Sequence, residues 1–133
     1  MAVALGGLCL SANAQEKVIK TVRPQATGSL DGKSLFQEYC AVCHGKDGKG
    51  GGPAASALKQ APGDLTQISK QNKGSFPDTK VMGILRGQQS VVAHGNQEMP
   101  TWGKTFGEMN VNPNVGQGRM YSLVMYIEEI QAK

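Results

Sequence analysis

A chain of 133 residues holds one domain, with no room for a second hydrophobic core. Its formal net charge of +4 is too small to keep a chain unfolded by self-repulsion, and no nucleic-acid partner is expected. Leu, Ile, Val and Phe make up only about a fifth of the chain after residue 14, so it closes into a globule most readily around a large apolar cofactor.

Residues 1–14 carry no charge and run apolar from Ala2 to Leu10, too short a stretch for the roughly 20 residues a bilayer span needs. Ala12-Asn13-Ala14 puts small residues where a signal peptidase reads, so 1–14 is expected to be a signal peptide whose basic start is truncated. Export to the periplasm, with no membrane span, follows as an expectation. Cys9 leaves with this segment, and Leu8 before it argues against a lipid anchor. The remaining cysteines, Cys40 and Cys43, lie too close together to staple distant segments, which excludes a disulfide scaffold. Residues 15–27 read as an exposed basic arm and 28–133 as the domain.

Asp31 is the expected N-cap of a first helix from Gly32 to Val42, with Leu35, Phe36 and Tyr39 as its apolar stripe. At its end stands Cys40-Ala41-Val42-Cys43-His44. Two thiols at this spacing can add across the two vinyl groups on one edge of a haem, and the adjacent imidazole can reach the iron through Nε2. A thioredoxin-like pair would need a βαβ context, which the pattern lacks. A zinc site from Cys40, Cys43, His44 and His94 is awkward because Cys43 and His44 are neighbours in sequence.

Gly45-Lys46-Asp47-Gly48-Lys49-Gly50-Gly51-Gly52-Pro53 forbids a regular element, and no strand precedes it as a phosphate loop would require. The Pro53 carbonyl is the expected acceptor for the other ring nitrogen of His44. Short helical turns are expected over 54–59, carrying Leu58, and after Asp64, carrying Leu65 and Ile68. A clearer helix follows Pro77, capped by Asp78, with Val81, Ile84 and Leu85 on one face, Arg86 in solvent and Gly87 as its stop. From Gln88 to Gly118 no regular element is expected, and a loop that long must wrap something. The last helix is expected from Arg119 to Gln131, with Met120, Leu123, Val124, Ile127 and Ile130 on one face.

An iron held by His44 needs its second face explained. Met99 offers a soft thioether that favours Fe(II); Pro100 stiffens the backbone after it, and Trp102 can cover the ring edge. His94 is the rival on the same loop, while Met82, Met109, Met120 and Met125 read as packing. A cavity lined by Leu58, Leu65, Met99 and Trp102 is expected where the haem belongs.

On these residues the chain resembles a class I c-type cytochrome over about 28–131: Cys40-x-x-Cys43-His44-Gly45, Asp47-Gly48-x-Gly50 with Pro53, Met99-Pro100-x-Trp102-Gly103, and a closing helix with Leu123 and Tyr126-Ile127. The resemblance implies an all-α fold of four to five short helices around one covalent haem c. Its first and last helices cross where Gly32 and Phe36 meet Leu123 and Tyr126. It implies haem held by Cys40, Cys43, His44 and Met99, with His44 and Met99 on the iron. The function implied is one-electron transfer rather than catalysis, with redox partner proteins docking near Lys46, Lys49 and Lys59. Rival readings are a subunit of a periplasmic dehydrogenase or oxidase complex and a haem enzyme with an open iron site. The chain departs from the family in its arm at 15–27 and its asparagine-rich stretch at 108–117.

Overall fold

The structure, a computed structural model, describes residues 28–88, 99–109 and 112–133. The expected signal peptide, the arm and His94 lie outside the described residues. Within them the chain is helical, with no strand.

Asp31 caps the first helical rod as its sequence position suggests, its carboxylate accepting from the Ser34 amide at 2.8 Å. The rod is built from α1 (Gly32–Leu35), a π-helical turn (Phe36–Cys40) and α2 (Ala41–His44). It runs two residues beyond the expected end at Val42, and the π turn is not foreshadowed by the spacing. In the π turn the Ala41 amide bonds the Phe36 carbonyl, so residues five apart share a face. Leu35 and Cys40 are therefore both buried, as are Phe36 and Ala41. In an unbroken α-helix residues five apart diverge by about 140°, which would carry the cysteine off the core face.

The short turns follow Asp64 as expected: its carboxylate accepts from the Thr66 amide at 2.9 Å and starts a 3-10 turn (Leu65–Gln67) that runs into α3 (Ile68–Gln71). An earlier 3-10 turn (Ala55–Ala57) precedes Leu58. Helix α4 (Asp78–Leu85) buries Val81, Gly83 and Leu85 and ends at Gly87, whose φ of +72° suits glycine. Pro77 rather than Asp78 occupies its N-cap position; Asp78 is the first helical residue and accepts from the Thr79 amide.

The stretch 88–118 departs most from expectation. It contains α5 (Trp102–Glu108), and α6 (Pro113–Glu129) starts six residues before Arg119. Four glycines lower the helix propensity of 102–118, but tertiary contact overrides it. Trp102 and Phe106 stand one turn apart and are both buried, and Gly103 and Gly116 let the chain pack closely against Arg86 and the Phe106 carbonyl. Asn112 caps α6 through the Asn114 amide, with Pro113 in the first turn. Arg119, expected at the helix start, is buried within it.

α6 is the spine against which α1, α4 and α5 pack. Its crossing with α1 falls at Gly32: a Cβ there would strike the Ser122 carbonyl oxygen and lie 2.9 Å from the Tyr126 Cβ. Phe36 packs against Tyr126 with ring centroids 5.3 Å apart. This is the crossing that the resemblance implied. Leu35, Phe36, Phe106 and Leu123 are fully buried at the centre. Among the described residues no helix is long and apolar enough to cross a membrane.

Candidate functional site

The Cys-x-x-Cys-His segment closes the first rod, and the glycine loop explains itself as the cap of that rod. A helix leaves its last four carbonyls without partners. Here Gly45 donates to Ala41 at 2.9 Å, Ala54 to Val42 at 2.8 Å, Gly52 to Cys43 at 3.0 Å and Gly50 to His44 at 2.7 Å. All four orphan carbonyls are satisfied by loop amides. The loop must lie directly across the helix end to do so. A Cβ on Gly52 would sit against the Val42 carbonyl oxygen and 2.6 Å from the Ala41 oxygen and the Cys43 carbonyl carbon.

Beside the motif the structure opens two cavities, of about 170 and 330 Å³. Both are bordered by Cys40, His44 and Met99, so the three residues stand at the junction of one divided cleft. Cys43, Leu58 and Trp102 line the smaller lobe; Leu65, Val81, Leu85 and Ile127 line the larger. The four lining residues expected from the sequence are thus all present, and the helices around the cleft form its walls.

Cys40 and His44 are each 6% exposed, Cys43 is half-buried, and Met99 packs half-buried against the core. Burial, with the neighbouring Cys43 adding to it, pushes the Cys40 thiol up to about 12. Such a thiol stays protonated at neutral pH and is a poor nucleophile. Cys40 and Cys43 are not joined in a disulfide. Among the described residues no group of three or more His, Cys, Asp or Glu stands close enough to hold a metal ion; the zinc arrangement includes His94, which lies outside them.

The imidazole of His44 is held at Nδ1 by the Gly63 carbonyl, 3.2 Å away. A carbonyl only accepts, so Nδ1 carries the proton and Nε2 the lone pair that a metal would take. This corrects the expectation that Pro53 supplies the acceptor. The loop around Pro53 is committed to capping the helix end, and Pro53 itself is exposed. Gly63 is brought in because Leu65 donates to the Gly48 carbonyl at 2.8 Å, tying the second connection to the first.

Aromatic packing supports the Met99 side of the cleft. Trp102 stacks on Phe106 with centroids 5.4 Å apart, and Tyr39 meets both edge-on at 5.7 and 5.3 Å. Tyr39, expected only as core packing, lines the smaller lobe. Sequence reasoning missed it, although its place one residue before Cys40 was the available signal. It also missed Gly63, for which no local signal exists. Arg86 is in solvent as expected, and Lys46, Lys49 and Lys59 are exposed.

The donor set fits a haem. Two thiols stand on one helix turn, the imidazole tautomer is fixed, and a thioether borders the same apolar cleft. A helical fold wrapped about such a cleft defines a class I c-type cytochrome domain, a monohaem electron carrier. The chain belongs to the family described as cytochrome C oxidase, cbb3-type, subunit III, whose model matches residues 29–112. No curated protein and no solved structure matches it.

Proposed function

We propose that the chain is a periplasmic one-electron carrier whose haem is attached through Cys40 and Cys43 and ligated by His44 and Met99. The observation that carries the reading is the convergence of Cys40, His44 and Met99 on one apolar cleft, with His44 already oriented by Gly63. Bound haem supplies a one-electron Fe(II)/Fe(III) couple. The protein's own parts then have distinct tasks. Cys40 and Cys43 keep the cofactor from being lost, and the Gly63 carbonyl holds the His44 ring and raises its basicity. Met99 would supply the second ligand to the group, and Trp102, Tyr39 and Leu58 exclude water from the edge of the cleft. A site closed in this way moves electrons and does not act on a substrate.

Lys46, Lys49 and Lys59 are exposed on the chain segments that follow the motif, and they steer the molecule onto an acidic redox partner. Association of this kind is fast, weak and salt-sensitive. The uncharged, apolar start ending in Ala12-Asn13-Ala14 supports export. The test is the rate of electron exchange with an acidic redox protein at rising ionic strength. It should fall steeply, and charge reversal at Lys46 and Lys49 should flatten the dependence. A rate indifferent to salt would remove the docking role.

The family match favours a second reading, in which the domain works as the cytochrome subunit of an oxidase complex. Gel filtration of the native protein separates the two: a free carrier elutes as a small species, a subunit with its complex.

A further inference from the structure

Residue Gln131, just beyond α6, joins the end of the chain to the segment that presents Gly63. Its side-chain Nε2 donates to the Leu65 carbonyl at 2.7 Å and to the Ile127 carbonyl at 2.7 Å, while its Oε1 accepts from the Ser69 amide at 2.8 Å. The next amide, Ala132, donates to the Thr66 carbonyl at 2.8 Å. Three of these four bonds land on the 3-10 turn and α3, within two to six residues of Gly63, and the fourth anchors the side chain to α6. From the other side Pro62 is held by close backbone packing, since a Cβ on Gly50 would strike the Pro62 carbonyl. The Gly63 carbonyl thus lies between two fixed points, Pro62 on one side and, on the other, the 65–69 segment that the Leu65–Gly48 bond and Gln131 together hold.

We propose that Gln131 is a positioning residue for the His44 imidazole: it fixes the 65–69 segment, which holds the Gly63 carbonyl at Nδ1, and so sets the reduction potential. The inference rests on the reading that His44 ligates the haem iron. A firm Nδ1–H···O=C bond raises the donor strength of Nε2 and favours the oxidised iron. Loosening the segment weakens that bond and moves the potential upward.

Gln131→Ala in the haem-loaded protein should shift the oxidised-to-reduced equilibrium about threefold towards the reduced form, an upward shift of about 28 mV at 59 mV per tenfold for one electron. The His44 ring N–H proton resonance of the reduced protein should move with it. Gln131→Met, which keeps the side-chain length and loses the same bonds, should give the same shift and covers the case in which the alanine variant does not assemble. Leu123→Ala serves as the comparison, because Leu123 is fully buried on α6 and lines neither cavity. It should lower stability and leave both signals in place. If a Gln131 variant lowers stability and leaves potential and ring proton unmoved, Gln131 is only a structural anchor and the inference fails. A wild-type spectrum without low-spin haem would instead overturn the site reading, and this inference with it.

Discussion

Gly52→Ala tests whether the glycine loop is the cap of the motif helix. The added Cβ would meet the Val42 carbonyl oxygen, with the Ala41 oxygen and Cys43 carbonyl carbon at 2.6 Å. All are backbone atoms, so no side chain can swing aside to relieve them. The loop must lift, and the bonds from Gly52 to Cys43 and from Ala54 to Val42 lengthen first. Two neutral hydrogen bonds are worth about 1–3 kcal/mol together, and overpacking adds about 1–3 kcal/mol. A loss of about 2–6 kcal/mol, at about 4 °C per kcal/mol for a domain of this size, lowers the melting temperature by about 8–24 °C. Thermal unfolding of the reduced protein, followed by far-ultraviolet circular dichroism, measures it. Gly51→Ala is the matched control, since a Cβ there meets nothing within 4 Å, and it should change stability by less than about 0.5 kcal/mol. If the two variants melt together, the close approach at Gly52 does not hold the loop.

Gly32→Ala drives a methyl group into the Ser122 carbonyl at the α1–α6 crossing. It should cost about 1–3 kcal/mol in denaturant unfolding, against at most about 1 kcal/mol gained in helix propensity. Gly28→Ala, in open space, should be neutral. The Asp31 carboxyl is held below its ordinary 3.8 by the side-chain and backbone hydrogen bonds of Ser34, so its folded pKa is lower than its unfolded one. The stability it contributes is present above about pH 3.8 and is lost as pH falls further, so Asp31→Asn, which keeps the cap without the titration, should flatten the acid limb of the unfolding curve. A curve of unchanged slope would put the titration elsewhere. Cys40→Ala or Cys43→Ala should weaken covalent haem retention, read by haem staining after denaturing electrophoresis; staining equal to wild type would show attachment through other groups.

What the sequence disclosed was carried by residues whose chemistry is local. Asp31 and Asp64 are caps because a short carboxylate reaches amides two or three residues on, and both were legible. The Cys-x-x-Cys-His run and the setting of Met99 were legible because so few chemistries use those side chains at those spacings. The features that escaped depend on contacts between distant segments. Helix α5 exists because Trp102 and Phe106 find the core, in a stretch whose glycines argue against a helix. The π turn exists because Leu35 and Cys40 must both face inward, a demand that a 3.6-residue period cannot express. Proximity in sequence points to Pro53 as the partner of His44, but the loop amides around it serve the helix end, and a carbonyl 19 residues away takes its place.

The central claim is a haem closed on one face by His44 and on the other by Met99. The absorption spectrum of the purified protein, oxidised and reduced, tests it most directly when paired with that of Met99→Ala. A low-spin c-type spectrum with a methionine-to-iron charge-transfer band in the oxidised wild type, absent from the variant, is the predicted result. A haem-free protein, or a band that survives in Met99→Ala, would contradict it.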